Sequence, residues 1–176
     1  DGTTRLKKDG EIIHHHSGVA GFAEYAVLPK EALVRIDKHI PFEHAALFGC
    51  GVVTGVGAVI NTASARKEDS IAIVGLGGVG LSALLASIAI GSKKTIAIDL
   101  SNEKLNLAHE LGADHILNPN DANFLERVRD LTSGGANIAI ETAGSGRALK
   151  TAYDITRRGG TTVAAGMPGP KVDITL

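Results

Sequence analysis

The sequence predicts an α/β fold, a doubly wound parallel sheet with helices on both faces, preceded by a partial antiparallel β segment. Three observations carry this reading. From Ile71 onward short apolar runs alternate with helical patterns across short connections, the pattern of parallel strands joined by crossover helices. The first run, Ile71-Ala-Ile-Val74, leads directly into Gly75-Leu-Gly77-Gly-Val-Gly80 and an apolar helix. The next, Thr95-Ile-Ala-Ile-Asp99, ends on an acidic residue.

Taken in order, Gly21-Phe-Ala-Glu-Tyr-Ala-Val-Leu-Pro29 alternates as a half-buried strand does. Ala32-Leu-Val-Arg-Ile-Asp37 predicts a second short strand after the Pro-Lys-Glu turn. Pro41-Phe-Glu-His-Ala-Ala then opens a helical segment that runs through Cys50 to Ile60, since proline suits a first turn, where its missing N–H is not needed. Glycine interleaved with valine and alanine along this segment implies close packing on a neighbouring backbone. Strands are predicted at Ile71 to Val74, Thr95 to Ile98, His115 to Leu117, Ile138 to Glu141 and Thr161 to Ala165. Helices are predicted at Val79 to Ile90, Asn102 to Leu111, Asn123 to Thr132 and Gly146 to Thr156. Leu81 to Ile90 is apolar nearly all round and should be buried in the layer covering the sheet. Gly112 and Gly159-Gly160 read as helix stops. A six-stranded sheet needs one strand more, for which Lys171 to Leu176 offers a beginning.

With 176 residues the chain fits one domain, or one domain and part of another. Apolar residues make up 44% and charged residues 21%, as in ordinary globular proteins, while aromatics are only 3%, so the core must be built from Ala, Val, Ile and Leu. A net charge of −1 offers no general attraction for polyanions and argues against nucleic acid or an anionic membrane as partner. The single cysteine, Cys50, excludes a disulfide within the chain and fits a reducing cytoplasm. No stretch reads as long and apolar enough to span a bilayer, and Asp1 to Lys8 lacks the apolar run of a signal peptide. An opening Asp1-Gly-Thr-Thr-Arg5 reads as the middle of a longer chain.

The glycine run is a dinucleotide-binding fingerprint in context. Gly75 allows the tight turn, Gly77 lets backbone amides approach a pyrophosphate, and Gly80 lets the next helix press on the sheet. Asp99 follows the last glycine by about twenty residues, the position from which a carboxylate accepts from the adenosine ribose hydroxyls. A 2′-phosphate there would meet like charge, so NAD is expected over NADP.

These motifs resemble the zinc-containing, medium-chain alcohol dehydrogenase family. Gly49-Cys50-Gly51 followed by Thr54-Gly55, then the Gly75 to Gly80 turn, stand in the family's order and separation. Upstream, Asp1 to Arg5, His14-His15 and the Phe22-Ala-Glu-Tyr25 strand are similar to part of its catalytic domain. The resemblance implies a remnant of a GroES-like catalytic domain at 1–48 and a Rossmann NAD-binding domain at 49–176, incomplete at its end. It implies that Cys50 is one ligand of a catalytic zinc, that Thr54 and Val79 hold the nicotinamide ring, and that Leu76, Gly77, Gly78, Val79, Gly80 and Leu81 form the pyrophosphate loop. Asp99 and Lys104 would contact the adenosine ribose, and Ala165, Gly166 and Met167 would flank the nicotinamide. In that family zinc is a Lewis acid on the alcohol and hydride passes to the nicotinamide. The remaining zinc ligands, a cysteine and a Gly-His-Glu motif, are not in these residues, so the chain is expected to be a fragment without dehydrogenase activity of its own and with no catalytic residue besides that ligand. A small alcohol or aldehyde, or a formaldehyde adduct of a low-molecular-weight thiol, is the expected substrate of the whole enzyme, and a dimer or tetramer the expected assembly. The reading from another class is a non-catalytic NAD-binding module.

Other residues read plainly. His14-His15-His16, if extended, point alternately to opposite faces and cannot converge on one ion. His39, His44, His109 and His115 lack ligand spacing. Without the resemblance, Cys50 reads as a small apolar residue buried in a helix, and Lys104 as a solvated first-turn lysine.

Overall fold

The computed structural model describes residues 4–14 and 21–170. The chain divides into two compact units, with the division between Pro41 and Phe42, seven residues before the 48/49 boundary expected from sequence. The reason lies in the helix that starts at Phe42, which runs without a break past residue 48.

In the first unit, β1 (Leu6–Lys8) and β2 (Glu11–Ile13) form an antiparallel ribbon with Leu6 opposite Ile13. Asp9 and Gly10 both have positive φ, 51° and 88°, as a two-residue hairpin loop requires. The strands predicted at Gly21 to Pro29 and Ala32 to Asp37 are not formed. A single 3₁₀ turn, Lys30–Ala32, is the only regular element there. Alternation makes a strand only when one face has a surface to cover and the backbone a neighbour to bond. Phe22, Tyr25, Val27 and Val34 are all exposed in this unit. His14 is exposed, while His15 and His16 fall outside the described residues.

The second unit opens with α1 (Phe42–Thr62), whose turns at Phe48–Val52 and Ala58–Thr62 are π-helical. With 21 residues and a mean hydropathy of 1.6 it is long and apolar enough, by length and composition, to cross a membrane. This corrects the expectation that no such stretch exists. The glycines dilute its side chains, so it does not read as a continuous apolar run, yet none of its residues past His44 is charged. Within the unit its inner face, Gly55, Ala58 and Val59, is buried.

Beyond it the predicted alternation appears in full. The order is β3 (Ser70–Val74), α2 (Gly78–Ala89), β4 (Lys94–Ile98), α3 (Asn102–Glu110), β5 (His115–Leu117), α4 (Phe124–Thr132), β6 (Ala136–Glu141), α5 (Gly146–Ile155) and β7 (Thr156–Ala164). The five strands are parallel, in the order β5-β4-β3-β6-β7. Alternate residues of β3 serve opposite faces. Ile71 and Ile73 pack with α1, α2 and α3, while Ala72 and Val74 pack with α4 and α5. Among the described residues every buried apolar one is Ala, Val, Ile or Leu except Phe124.

Gly112 ends α3 with φ +105°, as read from sequence. Gly159-Gly160 do not stop a helix. The preceding helix ends at Ile155, and these glycines belong to β7, where the register with β6 shifts between Ala136 and Ile138. Nor is α2 buried all round, since Leu85 is 47% exposed while Ala83, Leu84 and Ser87 are fully covered. The segment Lys171 to Leu176 lies outside the described residues.

Candidate functional site

From β3 the chain winds outward first to β4 and β5, then returns to build β6 and β7 on the other side. The connections leaving β3 and β6 therefore diverge at their carboxyl ends, and a crevice opens between them. It has a volume of about 340 Å³. Gly75, Leu76 and Gly77 form its floor, Asp99 and Lys104 one wall, and Thr142, Ala143, Ser145 and Arg147 the other.

The glycine turn is held from several sides. Gly75 has φ +97°, a conformation that L side chains rarely adopt, and its N–H donates to Ile98 O at 2.8 Å. Gly80 faces the carbonyl of Gly75 so closely that a Cβ would collide with it, and would also stand 2.8 Å from Thr142 Oγ1. That Oγ1 donates to Gly75 O at 2.6 Å. On the opposite wall Asp99, with its side chain only 11% exposed, accepts from Leu76 N at 2.7 Å through Oδ2 and from Ser101 N at 2.9 Å through Oδ1. Lys104 Nζ lies 3.9 Å from Oδ2. A carboxylate offers about four acceptor sites, so two bonds to the backbone leave capacity for hydroxyl donors.

The turn delivers the chain into α2, with Gly77 as its N-cap and no acidic residue in the first turn. The first N–H groups of a helix have no acceptor within it, and together with the helix dipole they favour an anion by roughly 0.3 to 2 kcal/mol. Gly77 and Gly78 have open space where a Cβ would stand, so a ligand could approach the backbone there.

The remaining predicted residues divide into three groups. Thr54 and Ala165 come together in a second cleft of about 330 Å³, formed where α1 meets the end of β7. Val79 presents its carbonyl to Gly55, where a Cβ would collide with it, so the expected close helix contact forms at this glycine; Leu81 packs against the core. Gly166 lies against the backbone of Gly144, and Met167 is 91% exposed.

Cys50 sits in the first π-helical turn and is exposed, so it is not the buried apolar residue that its composition alone suggests. No group of three His, Cys, Asp or Glu side chains among the described residues could hold a metal ion. A catalytic zinc needs three protein ligands. Cys50 by itself does not meet that need, and His39 pairs with Asp37 at 2.8 Å instead.

Sequence reading missed the wall that follows β6: Thr142, Ala143, Ser145 and Arg147. No motif marks these residues. The available signal was topological, because the strand beside β3 on the returning half must send its carboxyl end into the same crevice.

Comparison with known proteins bears on the same residues. Residues 78–176 match the family described as zinc-binding dehydrogenase. The chain is 35% identical to an S-(hydroxymethyl)glutathione dehydrogenase of Escherichia coli strain SMS-3-5, over 99% of this chain and 48% of that protein. It is 34% identical to the enzyme of the same description from Synechocystis sp., with the same coverage. Among solved structures it is similar to benzyl alcohol dehydrogenase from Acinetobacter calcoaceticus, with a TM-score of 0.81 and 34% identity over 90% of this chain and 44% of that one. An alcohol dehydrogenase zinc-binding domain protein from Burkholderia ambifaria gives a TM-score of 0.80 at 34% identity, over 89% of this chain and 43% of that one. The chain thus spans about half the length of the curated relatives it matches.

Proposed function

We propose, from the premise that this chain belongs to the zinc-binding dehydrogenase family, that its crevice binds NAD and serves the NAD-dependent oxidation of an alcohol in the whole enzyme. The observation that carries the reading is the crevice itself, where a pre-formed glycine turn, an amide-rich helix start and a nearly buried carboxylate share one 340 Å³ space. In this reading the Gly75 to Gly80 turn and the first N–H groups of α2 hold the pyrophosphate. Asp99 accepts from the adenosine ribose, with Lys104 beside it. Thr54 and Val79 on one side, and Ala165, Gly166 and Met167 on the other, border the nicotinamide. The cofactor, when bound, supplies the hydride acceptor.

Zinc enters differently. Cys50 is proposed as one of its ligands in the whole enzyme, and no step is derived from it, because the described residues do not complete a donor set. The division into a GroES-like remnant before the long helix and an NAD-binding domain from it onward belongs to the same proposal. So do a cytoplasmic location and a dimer or tetramer. The latter is supported by β7, which ends the sheet among the described residues and leaves a strand edge for pairing. For the substrate, relatives described as S-(hydroxymethyl)glutathione dehydrogenases favour a thiol adduct of formaldehyde, and the benzyl alcohol dehydrogenase favours a simple alcohol.

Calorimetric titration of the 176-residue chain tests the central reading. NAD should bind, and NADP should bind at least tenfold more weakly, because its 2′-phosphate would face the Asp99 carboxylate. NADP binding as well as NAD would remove the role given to Asp99. Absence of binding by folded chain would remove the dinucleotide reading altogether and favour a purely structural module. Alcohol-dependent NAD reduction by this chain alone is expected to be absent. In the gene, a cysteine and a Gly-His-Glu motif upstream of Asp1 mean an enzyme, and their absence means a non-catalytic NAD-binding module.

A further inference from the structure

Among the described residues, Glu141 is the one ionisable residue in the core of the second unit. It stands at the carboxyl end of β6, 2% exposed, where burial of a charged group is unfavourable unless it is bonded. No lysine or arginine faces it in an ion pair among the described residues. Its hydrogen bonds run instead to two backbone segments. Oε1 accepts from Gly144 N at 2.6 Å. The main-chain carbonyl of the same residue accepts from Ala165 N at 2.8 Å and Gly166 N at 2.9 Å.

The second carboxylate oxygen lies against Gly166, 2.7 Å from where a Cβ on that residue would stand. The two segments also touch each other. A Cβ on Gly166 would collide with Gly144 N, and one on Gly144, at φ +69°, would stand 2.6 Å from Met167 O. Glu141 is therefore wedged beneath the contact between the segment after β6 and the segment after β7. The first of these lines the 340 Å³ crevice through Thr142, Ala143 and Ser145, and the second reaches the 330 Å³ cleft through Ala165.

We propose that Glu141 is a positioning residue that locks these two segments together and so fixes the spacing between the two ends of the dinucleotide site. The inference rests on the NAD reading above. A dinucleotide must satisfy both ends at once, whereas a half-ligand needs only one. Loss of the lock should therefore weaken the whole cofactor and spare its adenosine half, which depends on the glycine turn and Asp99.

The test is calorimetry on the 176-residue chain with NAD and with ADP. Glu141→Leu removes the carboxylate acceptor and puts an apolar side chain of similar bulk in its place. It should weaken NAD about tenfold, the order of effect of one hydrogen bond to a charged group, and leave ADP within about twofold. Equal weakening of both ligands would mean general destabilisation and would overturn the proposal, as would no change in either. If that variant does not fold, Gly144→Ala decides between the same outcomes, since its Cβ would press the segments apart at Met167 O. Failure of the unaltered chain to bind either ligand would instead overturn the NAD reading and this inference with it, and is distinguished by occurring before any substitution.

Discussion

The two units of this chain put apolar sequence to opposite effect. Up to Pro41, Phe22, Tyr25, Val27 and Val34 lie open to solvent, and the regular elements among the described residues are a short ribbon and one 3₁₀ turn. From Ser70 to Ala164, aliphatic residues and Phe124 disappear between a five-stranded sheet and helices on both of its faces. The difference is not hydrophobicity but the availability of a surface of matching period. Each of β3, β4, β5 and β6 is followed by a helix that returns over the sheet and covers the face just made. In the first unit the alternating residues between Gly21 and Asp37 pair with no strand among the described residues, and alternation alone does not order a backbone.

Substitutions can break or sharpen this contrast. The largest effect is expected at Ile73, fully buried in the central strand, where truncation to alanine should cost about 2 to 5 kcal/mol in chemical denaturation; a loss below about 1 kcal/mol would mean the sheet is not the stabilising core. Next comes Asp99→Ala, which strips the acceptor from both Leu76 N and Ser101 N and should lower stability by about 1 to 3 kcal/mol, with NAD affinity falling at least tenfold. Asp99→Asn keeps an acceptor and should recover most of the stability but not the preference over NADP. Phe22→Ala, in the other unit, should move the unfolding free energy by less than about 0.5 kcal/mol despite the size of the ring removed, because the ring is already in water.

The smallest effect belongs to Asp37. The backbone N–H of His39 holds its carboxyl below the ordinary aspartate range, with a further contribution from the imidazole. A lowered value means that the interaction is present above the unfolded-state pKa and is lost as pH falls through the folded one. His39→Ala removes only the imidazole, so an NMR titration should show the Asp37 carboxyl rising part of the way back.

Much of the second unit was legible in the residues, for a physical reason. Strand and helix periods differ, and β3, α2 and β4 are each long enough to display theirs, so their ends fall within a residue of expectation. The turn was legible because Gly75 and Gly80 answer constraints that other residues cannot meet. The hairpin at Asp9-Gly10 carried its own signal in that dipeptide, which went unread beside the longer alternation downstream. The wall after β6 was not legible, since Thr142 acts on the carbonyl of Gly75, beside it in space but 67 positions away along the chain. The length and hydropathy of α1 were also obscured, because glycine contributes little to an apolar pattern while leaving the helix intact.

The bracing of the glycine turn has a thermodynamic consequence. Thr142 grips its carbonyl from one flank and Asp99 its amide from the other, so the loop is already rigid before any phosphate arrives. A receptor organised in advance surrenders little configurational freedom on complexation. Its affinity should then owe more to enthalpy than a mobile loop would allow, and should change little when ordering agents such as osmolytes are added.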